Sequence, residues 1–144
     1  MQIQLREMRL HDATAVNGLS AQLGYSLSVH QTAEQIKTIA SRSDHHACVA
    51  VSDNQIVGWI HTFQSYLIES LPFVEIGGIV VDEKYRGKGI GKKLIQHAID
   101  WSIKQKIFKL RVRTQTKRLD ALQFYRSLKF EEVKEQKVFQ LELA

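Results

Sequence analysis

The sequence predicts an α/β domain of the α+β kind: a mixed, mostly antiparallel sheet of six to seven strands, with a central parallel βαβ unit and helices on both faces. Three observations carry this. Residues 89–105 place Ile90, Leu94, Ala98 and Trp101 at spacings of four, four and three, with Ile95 and Ile99 alongside, the stripe of a long amphipathic helix. Strand-like runs flank it, FVEIGGIVV before and FKLRVRT after, and that order calls for a parallel pair with a right-handed crossover. Upstream, ACVAVSDNQIVGWIHTF reads as two strands about a polar Asp53-Asn54 turn, an antiparallel hairpin.

The other elements follow in order. IQLREM alternates Ile3 and Leu5 against polar residues and predicts a first strand. His11-Asp12 opens a helix with Asp12 as N-cap, Ala15, Val16 and Leu19 along its apolar side and Gly24 as its stop. A second helix is expected from Thr32 to about Ser41, capped by Thr32 with Gln35 three residues on. SYLIESLP, with the one proline, Pro72, is a loop. FVEIGGIVV is apolar enough for a central buried strand. In FKLRVRT, Phe108, Leu110 and Val112 take one face and Lys109, Arg111 and Arg113 the other. Arg118 to Leu128 is a short helix with Ala121, Phe124, Tyr125 and Leu128 on one side. FEEVKEQKVFQLEL predicts one or two closing strands, with Phe139, Leu141 and Leu143 alternating inward. The expected order is β-α-α-β-β-β-α-β-α-β-β, without linker, repeat or low-complexity segment.

At 144 residues the chain is the size of one domain, 1–144. No stretch approaches the ~20 apolar residues that cross a bilayer, so no membrane is expected as a partner. The opening MQIQLREMRL carries charge where a signal peptide needs an apolar run, which makes the cytoplasm the expected compartment. Cys48, the single cysteine, can form neither an internal disulfide nor a cysteine-based zinc site, and reads as a small apolar core residue. No metal is expected. The net charge is +5, and its distribution says more: Lys84 to Arg118 holds twelve Lys and Arg residues and one acid, Asp100, while Glu131, Glu132, Glu135 and Glu142 crowd the end. A basic middle suits an anionic ligand. Nucleic acid is not expected, because the basic cluster coincides with a glycine turn and lacks interleaved exposed aromatics.

That turn is the informative stretch. A helix start carries unpaired N–H groups and partial positive charge, which a Ser, Thr, Asp or Asn cap ordinarily satisfies. Here the residues entering the long helix are Arg86, Gly87, Lys88, Gly89, Ile90 and Gly91. None supplies a short side-chain acceptor. Successive amides with glycines between them admit an external anion instead. The Walker A pattern fails, since Arg86 stands where its first glycine belongs and Lys93 where Ser or Thr belongs. The dinucleotide GxGxxG pattern fails in either register.

Arg-x-x-Gly-x-Gly does fit, at Arg86, Gly89 and Gly91. Here the chain resembles the GNAT superfamily, the Gcn5-related N-acetyltransferases. The block GIVVDEKYRGKGIGKKLI carries the resemblance, and the order of elements matches along essentially the whole chain. ALQFYRSLKF, Ala121 to Phe130, is similar to the family's A-x-x-F-Y-x-x-x-G-F segment. Two positions depart from the pattern: Arg118, where the family often has asparagine, and Lys129, where it usually has glycine.

The resemblance implies a GNAT-like fold and direct transfer of the acetyl group of acetyl-CoA to a primary amine of a small molecule or protein. It implies that Arg86, Gly87, Lys88, Gly89, Ile90, Gly91 and Lys92 cradle the pyrophosphate, with Lys84 adding charge. It also implies a pantetheine arm between two splayed parallel strands, those ending near Val81 and Thr114. Backbone groups of Ile79, Val80 and Val81 are the candidates to hold it, and Gly77-Gly78 suits a bulge that starts the splay. Tyr125 matches the family tyrosine near the thioester sulfur, a general acid protonated at neutral pH.

Glu75, on the strand leading to the turn, is the expected base, acting through water, or else the anchor of a cationic substrate; Glu69 is the alternate. Among the histidines, His45-His46 is expected in a loop, His61 on a strand face from which it could reach the substrate, and His97 at the exposed edge of the long helix. A homodimer is left open, and the acceptor amine does not declare itself. The rival reading is a catalytically silent CoA-binding sensor or partner subunit.

Overall fold

Alternation and turn chemistry build most of the expected sheet. A computed structural model of the chain describes residues 2–144 and divides into two units, Met1–Val112 and Arg113–Ala144. The first holds β1 (Gln4–Glu7), α1 (Ala13–Ala21), α2 (Val29–Ala40), β2 (His45–Ser52), β3 (Gln55–Ser65), β4 (Phe73–Val81), α3 (Ile90–Lys104) and β5 (Leu110–Val112). The strands form one sheet in the order β1-β2-β3-β4-β5. Neighbours are antiparallel except β4 and β5, the parallel pair that α3 connects. Asp53 and Asn54 close the β2–β3 hairpin with φ of 49° and 63°. A two-residue hairpin turn requires such left-handed values, and short polar side chains tolerate them.

Each face of the sheet is covered by different helices. Met8, Ala13, Val16, Ile36 and Val49 form a buried cluster where α1 and α2 pack, with Trp59 against it. On the other face α3 buries Ile90, Leu94, Ile95 and Ala98. Gly58 lies directly beneath it: a Cβ there would stand 3.3 Å from Leu94 Cδ1 and 3.4 Å from Ile90 Cγ2.

Both N-terminal helices start differently from expectation. Asp12 precedes α1, but its carboxylate caps no helical amide. It accepts two hydrogen bonds from the Arg6 guanidinium, each 2.8 Å, and one from the Arg9 amide at 2.8 Å. An arginine fork satisfies a buried carboxylate better than one capping bond does. The second helix begins one turn early. Ser28 accepts from Gln31 N at 3.0 Å and Gln31 Oε1 accepts from Ser28 N at 2.9 Å, a complete capping box. Thr32 is thereby left inside the helix, buried, accepting from Asn17 Nδ2 at 3.0 Å.

The second unit holds α4 (Leu119–Ser127). It ends with the Phe130 amide donating to Tyr125 O and the Lys129 amide to Arg126 O, both 3.0 Å, and Lys129 at φ 72°. This is the left-handed helix stop that glycine usually supplies, which explains the glycine in the family pattern; here lysine adopts it. The one or two closing strands expected do not form: no strand lies between residues 128 and 144. Val138, Phe139, Leu141 and Leu143 are at least 81% exposed rather than turned inward. Alternation prepares a strand, but a strand exists only where a neighbour accepts its hydrogen bonds. The sheet therefore has five strands, not six or seven. No helix among the described residues is long and apolar enough to cross a membrane.

Candidate functional site

The site in the first unit begins with one extra residue. Along the β3–β4 ladder His61 pairs with Gly78 and Thr62 with Ile76, so Gly77 has no opposite number. This is the bulge that the Gly77-Gly78 pair foreshadows. A Cβ on Gly77 would meet His61 Nδ1 at 2.6 Å and Phe63 Cε1 at 3.2 Å; one on Gly78 would meet Trp59 Cη2 at 2.7 Å. The glycines are required because these rings lie directly over the β4 backbone.

On its other side β4 pairs with β5 only at Val74–Leu110, Glu75–Arg111 and Ile76–Val112. The ladder stops at the bulge, so residues 77–81 have a strand partner on the β3 side alone among the described residues. The Asp82 amide donates to Val57 O at 2.8 Å. Because facing pairs alternate in an antiparallel ladder, Val80 also directs its peptide groups towards β3, while Ile79 and Val81 direct theirs to the open edge. The Val81 carbonyl accepts from Arg86 Nε at 3.3 Å, in keeping with that direction. Of the three backbone candidates, Val80 is thus occupied in the ladder.

The glycine turn follows. Gly87 and Gly89 have φ of 77° and 83°, and a Cβ on either would meet nothing within 4 Å. Backbone conformation, not crowding, demands glycine there. Gly89 is the N-cap of α3 and no side chain caps that helix, as the composition of the turn predicts. Its amides and partial positive charge stand beside an open approach, which suits a diphosphate. Lys88 Nζ lies 5.3 Å from the centroid of the Tyr85 ring. Lys84, Arg86 and Lys92 are exposed around it, Gly91 is half-buried and Ile90 is core. Gln22, just after α1, braces the entry: its Oε1 accepts from Glu83 N at 3.0 Å and its Nε2 donates to Asp82 Oδ1 at 3.3 Å.

Glu75 is half-buried on β4, paired with Phe63 on one side and Arg111 on the other. Arg111 stacks its guanidinium 4.3 Å from the Phe73 ring centroid. Glu69 is exposed in the loop between β3 and β4. Cys48 is fully buried, and burial pushes its thiol up to about 11, so it stays protonated and unreactive at neutral pH.

The histidines are where the structure corrects the sequence. His45 and His46 begin β2 instead of lying in a loop, and His97 is half-buried, not at an exposed edge. His45 Nδ1 and His61 Nε2 share a hydrogen bond of 2.9 Å; Phe63 stacks on His45 and tilts against His61. On the opposite face His46 Nε2 and His97 Nε2 share one of 2.8 Å, with Trp101 stacked on His46. The signal for His45 was present: it extends the alternation of Ala47, Val49 and Val51 backwards by one step. Among the described residues no group of three or more His, Cys, Asp or Glu side chains could hold a metal ion.

In the second unit Tyr125 is buried, edge-on to Phe124 and Phe130. Burial pushes its phenol up to about 12, with Arg118 opposing, so it carries its proton at neutral pH.

Comparison with known proteins gives this geometry a context. The model of the acetyltransferase (GNAT) family matches residues 13–130. Streptothricin acetyltransferase of Escherichia coli is 30% identical over 106 residues, 71% of this chain and 59% of that protein. The chain thus spans less than two thirds of that relative's length. The solved structure of AAC(6')-Iy with the bisubstrate analogue CoA-S-monomethyl-acetylneamine matches with a TM-score of 0.88 at 19% identity, covering 99% of this chain and 100% of that one. Glucosamine-6-phosphate N-acetyltransferase from Arabidopsis thaliana gives 0.82 at 19% identity, covering 99% and 100%. At such identities the structural likeness speaks for the fold. The family model, spanning the bulge, the splayed edge and the glycine turn together, settles membership: this chain belongs to the GNAT family of acetyltransferases.

Proposed function

We propose that this chain is an N-acetyltransferase that moves the acetyl group of acetyl-CoA directly to a primary amine of a small molecule or a protein, with residues 1–144 acting as one acetyltransferase domain. One observation carries the reading: the β4–β5 ladder stops at Ile76–Val112, and the open edge beyond it leads to an uncapped, glycine-lined helix start. An extended chain of amides ending in a diphosphate fits such an edge, and CoA is that chemistry. Ile79 and Val81 offer main-chain groups to the pantetheine amides, one N–H of this edge polarises the thioester carbonyl, and Arg86 to Lys92 receive the diphosphate.

Acyl transfer asks three things of the protein: a free amine lone pair, stabilisation of the carbonyl oxygen, and a proton for the departing sulfur. Glu75 is the carboxylate that takes the amine proton or holds the ammonium. Tyr125, which keeps its proton at neutral pH, is the acid for the sulfur. The fully buried Cys48 thiol is no nucleophile, which favours direct transfer over an acyl-enzyme. The solved neighbours named for an acetylneamine bisubstrate analogue and for glucosamine-6-phosphate favour a polar amine acceptor.

The test is a thermal-shift titration with CoA and acetyl-CoA, followed by thiol release with glucosamine, neamine, spermidine and a lysine peptide. Acetyl-CoA is expected to raise Tm, and Gly91→Asp to abolish the shift, because a carboxylate would stand where the diphosphate belongs. Undiminished acetyl-CoA affinity in Gly91→Asp overturns the site. A Tm shift without thiol release from any amine, unaltered by Glu75→Gln and Tyr125→Phe, favours the silent CoA-binding reading instead.

A further inference from the structure

We infer that residues 138–143 form the docking strand between two copies of this chain, each copy laying its segment antiparallel along the free edge of the other's β5. The surface stands apart from the acetyl-transfer chemistry above. Two unsatisfied features call for it. Val138, Phe139, Leu141 and Leu143 are each at least 81% exposed, in a segment that alternates as a strand does yet has no ladder. β5, in turn, pairs with β4 alone among the described residues and ends the sheet there. A bare edge of this kind is a template for another strand. Exposed apolar side chains gathered on one segment mark an interaction surface.

The edge dictates a register. In the parallel β4–β5 pair Val74 sits opposite Leu110, and its amide donates to Lys109 O at 2.9 Å. Main-chain groups alternate in direction along a strand, so those of Lys109 and Arg111 face β4 while those of Leu110 and Val112 turn outwards. An incoming strand must set its own inward-turned residues opposite Leu110 and Val112. Leu141 opposite Leu110 and Phe139 opposite Val112 meets that requirement, with about four backbone hydrogen bonds. The same register puts Leu143 beside Phe108, which is 79% exposed, so the apolar face of β5 continues across the junction. On the other face it sets Glu142 beside Lys109 and Gln140 beside Arg111. A slip of one residue would turn Phe139, Leu141 and Leu143 to the charged face.

Charge selects β5 as the receiving edge. Residues 109–118 hold five Lys and Arg residues and no acid, whereas residues 131–144 hold four Glu and two Lys. Opposite blocks of this kind steer the approach and fix its orientation. The other edge of the sheet, β1, offers Leu5 as its one apolar residue, and Arg6 there is taken by Asp12. Within one chain Gln136 Oε1 accepts from Arg113 Nη1 at 2.6 Å, which anchors the root of the segment. The residues beyond that anchor form no strand. A second copy carries both the strand and the edge, so each exchange is matched by its symmetry mate and the pair closes as a twofold dimer.

Disulfide trapping in the full chain tests this. Lys109 and Glu142 are exposed, and the register makes them a pair without mutual backbone hydrogen bonds, the closest approach in an antiparallel ladder. The double variant Lys109→Cys, Glu142→Cys, oxidised at micromolar concentration, is expected to run as a covalent dimer on a non-reducing gel. Each single variant should link far less, and the native Cys48 is fully buried. Light scattering of the wild type should give twice 16.5 kDa. Leu141→Pro removes an inward N–H at an exposed position and should raise the dimer dissociation constant about 10-fold or more, with the circular dichroism unchanged. Gln140→Pro, whose N–H turns away from β5, should cost less. A wild type that is monomeric at every concentration overturns the proposal. So does a double variant that closes its disulfide within one copy, which would put the segment on its own β5. A dimer that stays unlinked overturns it too, since the junction then lies elsewhere.

Discussion

His45 and His46 are adjacent in the chain and lie on opposite faces of the sheet. Each is bonded to another histidine, at 2.9 and 2.8 Å, and each stacks on an aromatic ring. The two pairs are nearly the same object built twice. What differs is the cover. The His46–His97 pair is built with α3, which carries His97 and Trp101, and has no glycine or bulge beside it, while His46 lines a partly open cleft together with His45. The His45–His61 pair lies beside an exposed glycine bulge on an edge that the sheet leaves open. Residue type and hydrogen bonding do not separate the two pairs; what each packs against does, Phe63 and the glycine bulge on one face and Trp101 on the other.

The comparison breaks most visibly through the helix-covered face. Leu94 is fully buried there, between α3 and Gly58. Leu94→Ala should cost about 2–5 kcal/mol, from lost burial and the cavity left behind. Urea denaturation measures it. The expected loss is one of stability, with KM for acetyl-CoA little changed; a collapse in kcat at unaltered stability would show that the covered face takes part in chemistry.

A smaller effect on stability, and a larger one on turnover, is expected on the open face. Gly77→Ala pushes a methyl group into His61 Nδ1 and Phe63, so the ring must move; overpacking of this kind costs about 1–3 kcal/mol. A distorted bulge also disturbs the open β4 edge that begins there, which should lower kcat per folded molecule by about 10-fold. Gly78→Ala presses on Trp59 instead. It should destabilise by a similar amount while sparing more of kcat. Equal kcat values for the two variants, compared at matched folded fraction, would remove the distinction between the rings.

How much of this was legible in the sequence depends on whether the cause was local. The βαβ unit, the Asp53-Asn54 hairpin, the bulge and the uncapped turn were all readable, because periodicity and glycine placement determine them within a few residues. Asp12 does not cap α1, because its partner, Arg6, lies in the preceding strand and offers two charge-assisted hydrogen bonds in place of one to a local amide. Ser28-x-x-Gln31 and Thr32-x-x-Gln35, one turn apart, both spell a capping box, and the pattern alone does not decide that the first one forms. The closing strands failed because alternation in Phe139, Leu141 and Leu143 says nothing of a partner edge. The histidine pairs were invisible because each joins residues 16 or 51 positions apart.

The finest discrimination between the two faces is by pH. Burial holds His46 and His97 below the ordinary histidine range; on His46 the charge of His97 adds to this, with Lys104 in the same sense and Glu7 against, while Asp100 opposes it on His97. An unfolded histidine binds its proton near pH 6.5, the folded pair only at lower pH. Between the two, the unfolded chain holds more protons, so stability rises with pH there. The contribution is complete above about pH 6.5 and is lost as pH falls towards the folded values. His46→Gln keeps a hydrogen-bonding amide beside His97 but removes one titration, and should flatten the fall in stability below pH 6.5 by up to about 1.4 kcal/mol per pH unit. Urea midpoints between pH 5 and 8, at constant m, measure it. If His46→Gln leaves that slope untouched, the pair under α3 does not take up protons on unfolding, and burial of His46 is not what shapes the acid limb of stability.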